Sequence, residues 1–173
     1  MRLFIAIGFS NSVKDALMRA VEELRRQGSG NFTRRENLHL TLAFLGELPD
    51  EKEAAAVLSR VKGKAFDISL GEMGNFRDLI WAGTVPEPEL TALQNVIITQ
   101  LRNAGLPFDN KPFRPHLTLC RRFTPFGIYY REAVERALGK PSCRVDRVSL
   151  MLSSRVNGRL TYTELAHKTL LTT

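Results

Sequence analysis

The sequence predicts an α+β fold made of two duplicated lobes, and three observations predict it. Helix-like and strand-like stretches follow one another in mixed order. Several consecutive strands are separated only by turns, which requires antiparallel neighbours. One tetrapeptide, His-Leu-Thr-Leu, occurs twice, at residues 39–42 and 116–119, about half the chain apart. With 173 residues, 43% hydrophobic and 25% charged, the chain can bury one sizeable core and is too short for two independent ones. We expect a single domain over residues 1–173 in which each lobe carries one copy of the motif.

Residues 2–9 are rich in β-branched and aromatic side chains and read as a strand. Asn11 or Ser12 caps a helix whose apolar face is Val13, Ala16, Leu17, Ala20, Val21 and Leu24, with Gly28 and Gly30 as its stop. A strand over 37–45 closes at Gly46, and a helix over 50–61 follows Pro49. Residues 66–70 and 79–85 read as two strands around a glycine-containing turn at 71–75. The next helix covers 86–103, with Pro86 and Pro88 near its start and Gly105 after its end. A strand over 116–121, a helix over 129–138 and a strand over 145–152 follow. Asn157-Gly158 then turns the chain into a last strand over 160–167. The sum is about seven strands and four helices, with hairpins that favour α+β over a doubly wound parallel sheet.

Lys+Arg exceed Asp+Glu by 25 to 18, for a net charge of +7, and 18 of the 25 cations are arginine. A basic chain favours polyanionic partners, and the planar guanidinium fork suits bidentate contact with phosphate. No run of about 20 apolar residues is present, so a membrane span is not expected. The opening run lacks a small-residue cleavage site and gives no signal-peptide pattern. Two cysteines, Cys120 and Cys143, make no disulfide framework, which points to reduced thiols and a cytoplasmic location. Neither a glycine-rich phosphate loop nor a closely spaced set of His and Cys for zinc occurs, so no cofactor and no metal is expected.

Chemistry concentrates in the repeated motif. Side chains alternate along a strand, so His39 and Thr41 share one face while Leu40 and Leu42 take the other; His116 and Thr118 repeat the arrangement. If a pseudo-two-fold axis relates the lobes, both polar faces line one central cleft. Two imidazoles there can serve as general acid and general base at opposite ends of an in-line displacement at phosphorus. The threonine hydroxyls and nearby arginines hold the non-bridging oxygens. The third histidine opens His167-Lys168-Thr169-Leu170, near the chain end and with Lys in place of Leu, and is not counted as a third copy. By the same alternation Cys120 shares the face of His116, but nothing in the sequence activates it and a small buried thiol is the better reading.

These motifs, with the opening Arg2-Leu3-Phe4-Ile5-Ala6-Ile7 and the run Phe113-Arg114-Pro115-His116-Leu117-Thr118-Leu119, resemble the 2H phosphoesterase superfamily. The branch they resemble is the RNA 2′,3′-cyclic phosphodiesterase group, also called 2′-5′ RNA ligases, over essentially the whole chain. The resemblance implies a bilobal, pseudo-symmetric α+β fold, two antiparallel sheets flanked by helices around a central cleft. It implies metal-independent opening of RNA 2′,3′-cyclic ends to 2′-phosphomonoesters, and also the reverse joining reaction. His39 then matches the proton donor and His116 the proton acceptor. Thr41, Thr118 and Arg121 match phosphate contacts, and Phe44 matches an aromatic that stacks on the terminal base. The expected partner is RNA with a 2′,3′-cyclic end, or a small cyclic nucleotide, bound by a monomer. The competing reading is a non-catalytic module that binds RNA ends or nucleotides. Strict alternation turns both Phe44 and Arg121, each five residues beyond its histidine, away from the cleft. Either each strand ends or is bulged before them, or Phe44 belongs to the core and Arg122 makes the phosphate contact.

Overall fold

The computed structural model describes residues 1–172 and contains nine strands and four α-helices. In chain order these are β1 (Arg2–Ile7), α1 (Asn11–Gln27), β2 (Gly28–Phe32), β3 (Leu40–Glu47), α2 (Lys52–Ser59), β4 (Phe66–Phe76), β5 (Leu79–Thr84), α3 (Pro88–Asn103), β6 (His116–Pro125), α4 (Arg131–Leu138), β7 (Ser142–Val145), β8 (Arg147–Val156) and β9 (Arg159–Thr169). A one-turn 3₁₀ helix, Arg35–Asn37, precedes β3. The strands form two antiparallel sheets, ordered β3-β1-β8-β9 and β2-β6-β5-β4-β7. The fold class is therefore the α+β arrangement of two sheets and four helices that the sequence implies.

Helix α1 shows why the sequence folds this way locally. Ser10, one residue before the expected caps, accepts a hydrogen bond from the Val13 amide, and the six apolar positions at helical spacing are all buried. Helices α1 and α4 cover the second sheet while α2 and α3 lie on the first. One continuous apolar core joins all four helices to both sheets. Each sheet draws strands from both ends of the chain: β1 sits between β3 and β8, and β2 joins the sheet built otherwise from β4 to β7.

Three local readings are corrected. Gly28–Phe32 does more than stop α1: it is an edge strand, possible because glycines at 28 and 30 let it lie against Phe123, Cys120 and the backbone of β6. Short β7 pairs with the start of β4 at the opposite edge. The expected turn at 71–75 is a bulged continuation of β4, and the hairpin closes at Arg77 and Asp78, with Arg77 in the left-handed region at φ 54°.

Candidate active site

The two motif strands, β3 and β6, contact each other where the sheets meet. Each departs from regular pairing at the same place in its motif. Across β1 and β3, Ala6 faces Thr41, Ile5 faces Ala43, and Phe4 faces Phe44, which leaves Leu42 as an extra residue. Across β5 and β6, Gly83 faces His116, Trp81 faces Thr118 and Ile80 faces Cys120, which leaves Leu119 as the extra residue. The fourth residue of each His-Leu-Thr-Leu copy is thus bulged, and every side chain beyond it changes face. Phe44 comes onto the face of Thr41, since Phe4 and Ala6 share a face of β1. Arg121 comes onto the face of Thr118. Cys120 turns the other way, is 0% exposed in the core, and burial pushes its thiol up to about 11. Its expected place beside His116 is therefore overturned by the bulge.

His39 lies just before β3, its ring edge-on to Tyr162 at 6.2 Å between centroids and with Gly8 alongside. Its Nδ1 is buried without a hydrogen-bond partner. Desolvation pushes the imidazole below its ordinary pKa; the Asn37 backbone, close by but outside hydrogen-bond geometry, opposes this, while Lys14 lowers it and Glu164 raises it. The turn before His39 is fixed by Asn37, itself buried. Its amide donates to the Leu160 carbonyl at 2.9 Å and its Oδ1 accepts from the Tyr162 amide at 3.2 Å, as a neighbouring strand would. Arg34 adds a bond to the same Leu160 carbonyl at 2.9 Å, and Arg35 pairs with Asp15 at 2.6 Å. Both arginines thus have structural partners, whereas Arg121 and Arg122 are exposed and make no ion pair among the described residues.

His116 is held differently. Its Nδ1 lies 2.6 Å from the Arg114 carbonyl, which can only accept, so Nδ1 carries a proton and Nε2 is the nitrogen left to act as a base. The following proline keeps Arg114 extended and its carbonyl in place. Arg2 lies over the Phe44 ring at 4.7 Å, and Phe44 packs with Tyr162 against buried Phe4, Ala6 and Met151. Thr118 is half-buried, and its carbonyl accepts from the Thr33 hydroxyl at 2.8 Å.

Alternation could not reveal Tyr162 beside His39, nor Phe76 and Trp81 beside His116 at 5.3 and 6.3 Å, because these lie on other strands. His167 stands on edge strand β9 opposite Ser149, and no hydrogen bond joins it to either motif among the described residues. A cavity of about 380 Å³ opens beside His39, lined by Lys14, Arg147, Ser149 and Glu164 among others. A larger one, about 510 Å³, lies between the N-terminus and the β8–β9 hairpin and touches neither motif, whereas the smaller one takes in His39 of the first. Among the described residues no three His, Cys, Asp or Glu side chains converge as a metal site. Among the described residues no helix is long and apolar enough to cross a membrane.

Comparison with known proteins gives one pattern. The model of the 2′-5′ RNA ligase superfamily matches residues 13–157. An RNA 2′,3′-cyclic phosphodiesterase of Archaeoglobus fulgidus is 36% identical over 70% of this chain and 72% of its own. The Escherichia coli protein of the same name is 32% identical over 95% of this chain and 93% of its own. The crystal structure of apo E. coli LigT superposes with a TM-score of 0.80 at 30% identity, covering 98% of this chain and 96% of that one.

Proposed function

Because the chain belongs to the 2′-5′ RNA ligase superfamily, we propose that it hydrolyses RNA 2′,3′-cyclic phosphate ends to 2′-phosphomonoesters by paired-histidine acid-base catalysis. The relatives carrying the name RNA 2′,3′-cyclic phosphodiesterase support the activity. The observation that carries the mechanism is the shared bulge, which brings Phe44 onto the face of Thr41 in one strand and Arg121 onto the face of Thr118 in the other.

The reaction runs in line at phosphorus. Neutral His116 accepts at Nε2 the proton of the attacking water, and His39 delivers one to the departing 3′ oxygen. The protonated form of His39 is disfavoured by burial in the free protein and favoured by the phosphate anion when RNA is bound. The phosphorane charge is met by the Thr41 and Thr118 hydroxyls and by Arg121, which brings a permanent cation and a planar fork. Phe44 holds the terminal base. With 5′-hydroxyl in place of water the same groups join RNA ends in a 2′-5′ linkage. We read the two lobes as products of duplication: the order β3-β1-β8-β9 matches β6-β5-β4-β7, and the paired glycine Gly83 opposite His116 has its counterpart in Gly8 against His39.

The test is turnover of a short RNA with a 2′,3′-cyclic end, with the product assigned by phosphorus NMR. A 2′-phosphate is expected. A 3′-phosphate would reverse the donor and acceptor roles, and tight binding without turnover would favour the non-catalytic module.

A further inference from the structure

The lobes differ most beside their threonines. Position for position, Ala6 stands across from Thr41 where Trp81 stands across from Thr118. The indole lies flat on its own sheet because its neighbours are glycines. A Cβ at Gly74 would come within 2.2 Å of the ring, and one at Gly83 within 3.0 Å. The buried Nε1 of Trp81 has no partner, so packing alone orients it. Phe76 lies against it, ring centroids 5.2 Å apart and planes 36° from parallel, and stands nearly perpendicular to the His116 ring at 5.3 Å between centroids. Phe76 is 38% exposed, an unusual state for a phenyl at the mouth of a polar site. Nothing in the hydrolytic cycle uses this platform: the terminal base is assigned to Phe44 in the other lobe, and water needs no stacking surface.

We propose that Phe76, backed by Trp81, is the binding subsite for the base of a second nucleoside, the one whose 5′-hydroxyl takes the place of water. This rests on the roles given above to His39 and His116, and it follows from in-line geometry. The leaving 3′ oxygen is on the His39 side, so whatever attacks must approach from the His116 side, where the platform stands. The 5′ oxygen bonds to phosphorus as its proton passes to His116 Nε2. The P–O3′ bond breaks as O3′ takes the proton of His39, leaving a 2′-5′ linkage and no net change in protons. Stacking every base by its π-face, the platform would select for a nucleoside without selecting its sequence.

Partition between the two nucleophiles tests this. One cyclic-ended donor RNA is incubated with a 5′-hydroxyl oligonucleotide acceptor, or with the same acceptor whose first nucleotide is abasic, and joined and hydrolysed products are measured together. Their ratio is independent of the fraction of enzyme folded. For the wild type, the ratio is expected to favour the base-bearing acceptor by about five- to 150-fold, the range set by stacking one base on an aromatic ring. Phe76→Ala should lower it to the abasic value, Trp81→Leu should lower it too, and Phe76→Trp should restore it. An unchanged ratio in Phe76→Ala, equal use of both acceptors by wild type, or hydrolysis with no joined product would each overturn the subsite. Wild-type enzyme that makes neither product would overturn the proposed function and the subsite with it.

Discussion

Replacing His39 by Phe should make the protein more stable while abolishing most of its turnover. The imidazole Nδ1 is buried without a hydrogen bond, and an orphaned buried polar atom costs about 1–3 kcal/mol. Phenylalanine keeps a ring against Tyr162 and Gly8 but has no polar atom to strand. Each kcal/mol recovered raises the melting temperature by about 2–4 °C in a chain of this size. Loss of the proposed proton donor should cut the rate by about 10²–10⁴. The effect has a pH signature. Burial holds the folded pKa of His39 below its ordinary value of 6.5, so the unfolded chain takes up this proton first as pH falls. The stability His39 contributes as a neutral ring is complete above 6.5 and is lost as pH falls from there through the lowered folded pKa. Differential scanning calorimetry at pH 8 and pH 5 therefore reads two numbers: a melting temperature higher for His39→Phe at both, and a gap that widens at pH 5. A variant that melts at or below wild type at pH 8 would mean that the Asn37 carbonyl already satisfies Nδ1, and the reasoning fails.

Other outcomes follow from the same geometry. His116→Ala should lose about 10²–10⁴ in rate and only about 1 kcal/mol of stability, since the ring makes a single hydrogen bond, to Arg114; steady-state kinetics and thermal melts separate the two. Asn37→Ala removes two hydrogen bonds to β9 and should cost about 2 kcal/mol in urea unfolding. Iodoacetamide on native protein should label half-buried Cys143 and leave Cys120 untouched; mass spectrometry reads the site. Turnover should survive excess EDTA, because the proposed mechanism draws both proton transfers from imidazoles.

How much of this was legible in the sequence differs from element to element. The apolar stripe of α1 and the Asn157-Gly158 turn announce themselves, because each is a local pattern with a local cause. The two histidines were found by repetition. Strand β2 was not found, because Gly28-Ser29-Gly30 has no strand propensity and pairs only where β6 supplies a partner. The bulges left a trace that alternation misreads: Leu42-Ala43 and Leu119-Cys120 are adjacent apolar pairs in otherwise alternating strands, and both members of each pair enter the core. Read that way, the pairs place Phe44 and Arg121 on the site face without a structure. Tyr162, Phe76 and Trp81 carry no such trace, since their nearness to a histidine depends on which strands lie side by side.

The placement of β1 between β3 and β8 has a consequence for synthesis on the ribosome. Arg2 to Ala6 emerge well before Ser149 to Ser153, with which they make one of their two ladders. Until β8 leaves the exit tunnel, the most apolar strand of the chain has an open edge, the kind that pairs with other chains. Tyr162, which flanks His39, arrives later still. A nascent chain therefore holds both motif histidines long before the strands around them can assemble, and the β1–β8 ladder is among the slowest to close. Premature termination before β8 would yield a sticky fragment rather than a weakened enzyme.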